Sequence, residues 1–216
     1  IRVAFVGAGK MVSAIVKSLL RSEIFEPKEI ACCSAQDGTS EKLSEETGIL
    51  RFDTIDEMLE AEPDLLVLGC KPQQLAQLPG SISESTQGTL ILSIMAGITL
   101  ERLSSVFPNA RNLVRSMPNT PGQIGAGATG FLFAKPADGK DLELIRKILS
   151  SLGFVPITSG TSEGFGRYSI TPFNTRWTPM FFNAEPQYVG NALISTVARR
   201  NAALSCASVI ADSSSM

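Results

Sequence analysis

Gly7 and Gly9 stand one residue apart in VGAGKMVSA, directly after the apolar run that ends at Val6. A glycine in the first place permits a tight turn, and one in the second lets the backbone approach a pyrophosphate. From Lys10 onward, Met11, Ala14, Ile15 and Leu19 recur at helical spacing, so a helix N-terminus with unpaired amides faces the same point. The chemistry this arrangement suits is capture of a dinucleotide, with Val6, Gly7, Ala8, Gly9, Lys10 and Met11 around the phosphates. Val12 occupies the place of the fingerprint's third glycine, and Ala14, two residues on, offers a small contact between helix and sheet. Three later segments have the make-up of ligand loops. CKPQQ at residues 70–74 follows an apolar run, SIMAGIT at 93–99 offers small residues where a flat ring can approach backbone, and SMPNTP at 116–121 is stiff. In the last, each proline fixes its own φ and pushes the preceding residue extended, so Asn119 is presented from a rigid loop. Taken one at a time, each of these segments is ordinary turn chemistry.

The elements that must position these loops follow from periodicity. Strands are predicted at residues 1–6, 29–33, 49–52, 64–69, 90–94, 112–116, 128–134 and 154–158, and helices from Lys10, over 39–47, over 54–60 and over 138–151. DLLVLG at 64–69 is continuously apolar, as in strands buried on both faces. Alternating strands and helices with short connections imply an α/β fold: a Rossmann-like, doubly wound, mainly parallel sheet with right-handed crossovers. In such a sheet ligands lie at the carboxyl ends of the strands, where all the loops above would fall. Ser34, just past the second strand, stands where an acidic residue would bind the ribose 2′-hydroxyl of NAD; a neutral donor there tolerates a 2′-phosphate, which favours NADP. No arginine follows to clamp that phosphate, Asp37 lies nearby, and a plain cap or turn role for Ser34 remains open.

The bulk numbers agree with a packed, water-soluble domain: 216 residues, 44% hydrophobic and 19% charged, net charge −2. No stretch concentrates Lys or Arg, so nucleic acid and anionic membrane are not expected as partners. The apolar runs are too short to span a bilayer and the first residues lack the basic start of a secretory signal, so the expected location is cytoplasmic. Four cysteines without a CxxC, and no histidine, argue against a metal site; buried reduced thiols are expected at Cys32, Cys33, Cys70 and Cys206.

With VGAGKM, LGCKPQ at 68–73, LSIMAGITLERL at 92–103 and VRSMPNTPGQIGAGATGF at 114–131 in family order, the chain resembles the pyrroline-5-carboxylate reductase family. The resemblance runs through about Glu163. It implies an oxidoreductase of proline biosynthesis that reduces 1-pyrroline-5-carboxylate to L-proline with NADPH, NADH being possible. It also implies cofactor contacts from Gly7 to Met11, Ser34, the segment Gly69, Cys70, Lys71 and Pro72, and the turn Met95, Ala96 and Gly97. No catalytic residue is assigned. The missing histidine fits this chemistry, because a cyclic imine can arrive already protonated and needs mainly to be positioned against the nicotinamide. Lys71 could attract the substrate carboxylate; a solvated lysine whose backbone alone meets the cofactor reads equally well.

After TSEGF the resemblance ends. Residues 1–163 are read as the NAD(P)-binding domain and residues 164–216 as a divergent tail in place of the family's helical dimerisation domain. Where the family continues into an LSGSGPAY-like block, that tail holds no match to it, only a helical stretch over 191–211, which Arg199 and Arg200 interrupt. A homo-oligomer is expected for the family and is not carried over to this chain. Two alternatives stand beside an active reductase: a dinucleotide-binding remnant with binding or regulatory use, and a dehydrogenase of the 6-phosphogluconate class, against which the MPNTP block argues.

Overall fold

The structure, a computed structural model, describes residues 1–35 and 37–155. The boundary expected at Glu163, the tail with its helix over 191–211, and Cys206 lie outside the described residues.

Strand β1 (Val3–Val6) leads into helix α1 (Lys10–Arg21), and β2 (Ile30–Cys33) into α2 (Thr39–Thr47). There follow β3 (Leu50–Arg51), α3 (Ile55–Leu59) and β4 (Leu65–Leu68), then α4 (Ile82–Ser85), β5 (Leu90–Ser93), α5 (Leu100–Val106) and β6 (Asn112–Met117). The described chain closes with β7 (Gly127–Ala128), β8 (Gly130–Phe133), α6 (Gly139–Ser150) and β9 (Gly153–Phe154). The main sheet has the order β3-β2-β1-β4-β5-β6-β8. Every pair in it is parallel except β6 with β8. This is the doubly wound arrangement, with the strand order reversing direction between β1 and β4.

Alternation along each strand divides the core into two layers. Val3 and Phe5 of β1, Leu65 and Val67 of β4, and Leu90 and Leu92 of β5 pack with Val12, Ile15, Val16 and Leu19 of α1 and Ile145, Ile148 and Leu149 of α6. Their neighbours Ala4, Val6, Leu66, Leu68 and Ile91 face Met58 and Leu59 of α3 and Leu100 and Leu103 of α5. A strand buried on both sides has no use for a polar residue, which is why LLVL and its like read as unbroken apolar runs.

Two expectations need correction. The segment 128–134 is two strands rather than one: β7 pairs with β9 in a separate two-stranded ribbon, and β8 joins β6 antiparallel. The connection after β6 is spent on a 3-10 turn (Thr120–Ile124) and on β7, which leaves no length for the crossover helix a parallel return requires. The strand expected over 154–158 therefore does not extend the main sheet within the described residues. Helix α5, not singled out from the sequence, starts at a Thr99 side chain that accepts the Arg102 amide at 3.2 Å. Its seven residues are too few for periodicity to stand out.

Candidate functional site

The register of the parallel strands sets their carboxyl ends in line. Val6 lies beside Cys33 and Leu68, Leu68 beside Ser93, and Ser93 beside Arg115. One residue further on, the Gly7 amide donates to Cys33 O at 2.7 Å, that of Gly69 to Val6 O at 2.9 Å, and that of Ile94 to Leu68 O at 3.0 Å. The loops singled out by sequence thus leave the sheet along a single edge: the Gly7–Gly9 turn, Ser34, Gly69 to Pro72, Met95 to Gly97, and Pro118 with Asn119.

At the centre of that edge the first and fourth strand ends interlock. Gly7 has φ +99°, and a Cβ on it would lie 2.8 Å from Cys70 N and 2.9 Å from Gly69 O. Only glycine supplies both the dihedral and the clearance. Gly69 in turn faces Val12, whose Cγ2 would be 2.2 Å from an added Cβ. Val12 is fully buried, so the volume that a third fingerprint glycine would leave on the helix is left by Gly69 on the opposing loop.

Gly9 is the N-cap of α1 and has open space where a Cβ would be. No side chain caps this helix and no acidic residue stands in its first turn. Its leading amides and dipole face a region free of negative charge from its own turn, as phosphate binding requires. A dinucleotide fits this cradle. Lys10 is exposed beside it, Met11 is half-buried, and Val6 and Ala8 are buried beneath it.

The loops after β4 and β5 meet. The Cys70 Sγ lies 3.7 Å from the Met95 Sδ, and the Met95 amide donates to the Ser93 hydroxyl at 3.3 Å. The Met95 side chain is buried, so this turn offers its neighbours Ala96 and Gly97, both exposed, at the surface. Cys70 is only half-buried, a correction to the expectation of four buried thiols; Cys32 and Cys33 are buried and all three are reduced. Burial pushes the Cys70 thiol above its ordinary value, so it stays neutral near pH 7. Lys71 is exposed, and its amide is capped by Gln74 Oε1 at 2.9 Å, with Pro72 opening the 3-10 turn Pro72–Gln77.

Asn119 is held on one side: its side-chain oxygen accepts the Ala128 amide at 3.1 Å and so clamps the stiff loop to β7. The signal for this lay in Gly127: a Cβ there would sit 2.9 Å from that same oxygen. At the end of β6, Ser116 is buried and its hydroxyl is the buried side-chain polar atom without a partner among the described residues.

Past β2, Ser34 belongs to a small network that the sequence did not disclose. Its hydroxyl donates to Ala35 O at 3.0 Å and lies 3.5 Å from Asp37 Oδ1, while the Thr39 hydroxyl donates to Asp37 Oδ1 at 2.6 Å and lies 3.2 Å from Ser34 Oγ. The Thr39 amide also donates to Asp37, and together these bonds hold the Asp37 carboxyl below its ordinary range, the Thr39 hydroxyl contributing most. Asp-Gly-Thr at 37–39 is the trace of this turn in the sequence. Nearby, Arg51 is gripped by Glu41 at 2.7 Å and Asp53 at 2.6 Å.

Among the described residues no group of three or more His, Cys, Asp or Glu is placed to hold a metal ion, and no helix is long and apolar enough to cross a membrane.

Comparison with known proteins fits this geometry. Residues 2–97 match a family model described as NADP oxidoreductase, coenzyme F420-dependent. Pyrroline-5-carboxylate reductase of Methanosarcina acetivorans is 30% identical over 153 residues, which are 70% of this chain and 56% of that protein. The chain thus spans about half the length of the curated relatives it matches. Among solved structures, a pyrroline-5-carboxylate reductase from Coxiella burnetii superposes with a TM-score of 0.67 at 25% identity, over 74% of this chain and 59% of that one. The Plasmodium falciparum pyrroline carboxylate reductase with NADP bound, at 22% identity and TM-score 0.61 over 72% of this chain and 56% of that one, shares the fold.

Proposed function

We propose that this chain, whose N-terminal domain is that of the pyrroline-5-carboxylate reductase family, binds a reduced nicotinamide dinucleotide and serves the reduction of 1-pyrroline-5-carboxylate to L-proline. The observation that carries the reading is the row of strand ends with the glycine interlock at its centre: Gly7, Gly69 and the uncapped α1 make one cradle at the point where the strand order reverses.

When bound, the dinucleotide supplies a hydride; the residues of the chain position it and keep charge in order. The amides leading α1 would receive the pyrophosphate, Gly9 leaving room for it. The Gly69 to Pro72 segment and the Ala96–Gly97 turn would wall the ring end, and Ser34 would meet the adenosine ribose. Asn119 holds the loop after β6 in place through Ala128. Cys70 remains a neutral thiol at this wall, so it adds no charge beside a cationic imine. NADPH is the donor the resemblance implies, with NADH the alternative. Residues 1–163 would be the dinucleotide domain, and residues 164–216 stand where the family carries its helical dimerisation domain.

The test is loss of reduced-nicotinamide absorbance from full-length chain mixed with pyrroline-5-carboxylate and either donor. Chain-dependent loss supports a reductase. Dinucleotide binding by folded chain with no turnover supports the second reading, a cofactor-binding protein without the reaction, which residues 164–216 favour by lacking an LSGSGPAY-like block. No binding of either donor overturns both.

A further inference from the structure

Resting on the dinucleotide reading just given, we propose that the end of β2 selects against a 2′-phosphate, so that this chain prefers NADH to NADPH, and that Asp37 is the residue responsible.

The ribose end of a dinucleotide in this fold lies beyond the second strand, where a carboxylate pairs with a 2′-hydroxyl and a cation accommodates a 2′-phosphate. Here the carboxylate comes from the turn after β2. Asp37 Oδ1 is fixed by two donors from Thr39 and stands 3.5 Å from Ser34 Oγ. Two consequences follow for an anion seeking Ser34. The hydroxyl proton is already directed at acceptors, Ala35 O and Asp37 Oδ1, and any phosphate that took it would approach a carboxylate held in its charged form. A ribose hydroxyl, by contrast, is a donor, and a fixed carboxylate is the acceptor it needs.

The described cations of β3 and α2 are already paired with acids, Lys42 of α2 with Glu46 at 3.9 Å. Arg51 on β3 is the basic group whose field reaches the Cys33 thiol at the end of β2, together with the fields of Asp53, Glu57 and Glu41. Its guanidinium is already shared by Glu41 and Asp53. Ala35 and Gln36, between Ser34 and Asp37, carry no charge. A phosphate with nearly two negative charges therefore meets a surface with more acids than bases.

Equilibrium titration of the full chain with NADH and with NADPH, read by the change in nicotinamide fluorescence on binding, tests this. The expected result is tighter binding of NADH on the order of tenfold at low salt, a gap that narrows as salt screens the repulsion. Asp37→Asn keeps the turn's shape and is expected to close most of the gap by strengthening NADPH. In the unaltered chain, ADP-ribose against its 2′-phosphate should show the same ratio, which keeps the proposal testable if the variant folds poorly. Equal or tighter binding of NADPH, or an Asp37→Asn ratio unchanged from the parent, overturns the proposal and leaves the dinucleotide reading standing. Failure of folded chain to bind either donor overturns that reading as well.

Discussion

At the scale of single residues, the site depends on a few contacts in which backbone and side chain share one volume. Val12 and Gly69 are such a pair. Gly69→Ala would drive a Cβ to 2.2 Å from Val12 Cγ2 in a fully buried position, where a β-branched side chain has little freedom to turn away. The expected cost is about 1 to 3 kcal/mol, with weaker dinucleotide binding because the loop carrying Cys70 and Pro72 must shift. Val12→Ala in the same chain should recover much of that loss, since it vacates the volume. A urea-denaturation cycle over the two single variants and the double variant reads the coupling, and strict additivity would show that the two side chains do not share the space. Glycines, prolines and small residues at strand ends were legible in the sequence, because each carries its conformational meaning alone. Asn119 bonded to Ala128, Cys70 against Met95, and the Ser34–Asp37–Thr39 network were not. Each joins groups whose meeting depends on where separate loops turn.

At the scale of elements, short helices hold the loops at their heads. α5 has seven residues, too few to persist on propensity, and its first turn is tied by the Thr99 side chain to the Arg102 amide at 3.2 Å. The turn of Ala96 and Gly97 immediately precedes it. Thr99→Ala is expected to cost about 1 kcal/mol in unfolding free energy. It should also raise amide exchange in residues 96–103 above that in β5; uniform protection would mean the cap does not hold the turn. The strands were the most readable elements, their cores continuous in Val, Leu and Ile, and the helix predicted over 39–47 ends where α2 ends. β8 escaped in direction only: its residues read as a strand, but the sense of a strand is set by the connection before it, and periodicity does not record that.

At the scale of the whole molecule, the two-layer core decides how stability responds to pH. Burial pushes the Cys32 thiol up from 9.0 to about 11, and burial likewise raises Cys33 and Cys70. A folded-state value above the unfolded one means the contribution is full below pH 9 and is lost as pH rises through about 11, because only the unfolded chain ionises in that window. For Cys32 the loss is up to about 2 to 3 kcal/mol. Denaturation midpoints measured from pH 8 to 11 should fall less steeply for Cys32→Ala than for the parent; identical slopes would show that Cys32 is hydrated. The doubly wound layout was visible from the alternation of strand and helix, while the β7–β9 ribbon was not, since two-residue strands leave no periodic trace. The shortness of β3 has a consequence of another kind. A sheet's outermost strands are where strangers can add, and one margin of this sheet is only Leu50 and Arg51, with the arginine gripped by Glu41 and Asp53. So brief and so charged a margin gives an incoming strand almost no ladder to climb, and protects this rim of the sheet against growth into fibrils.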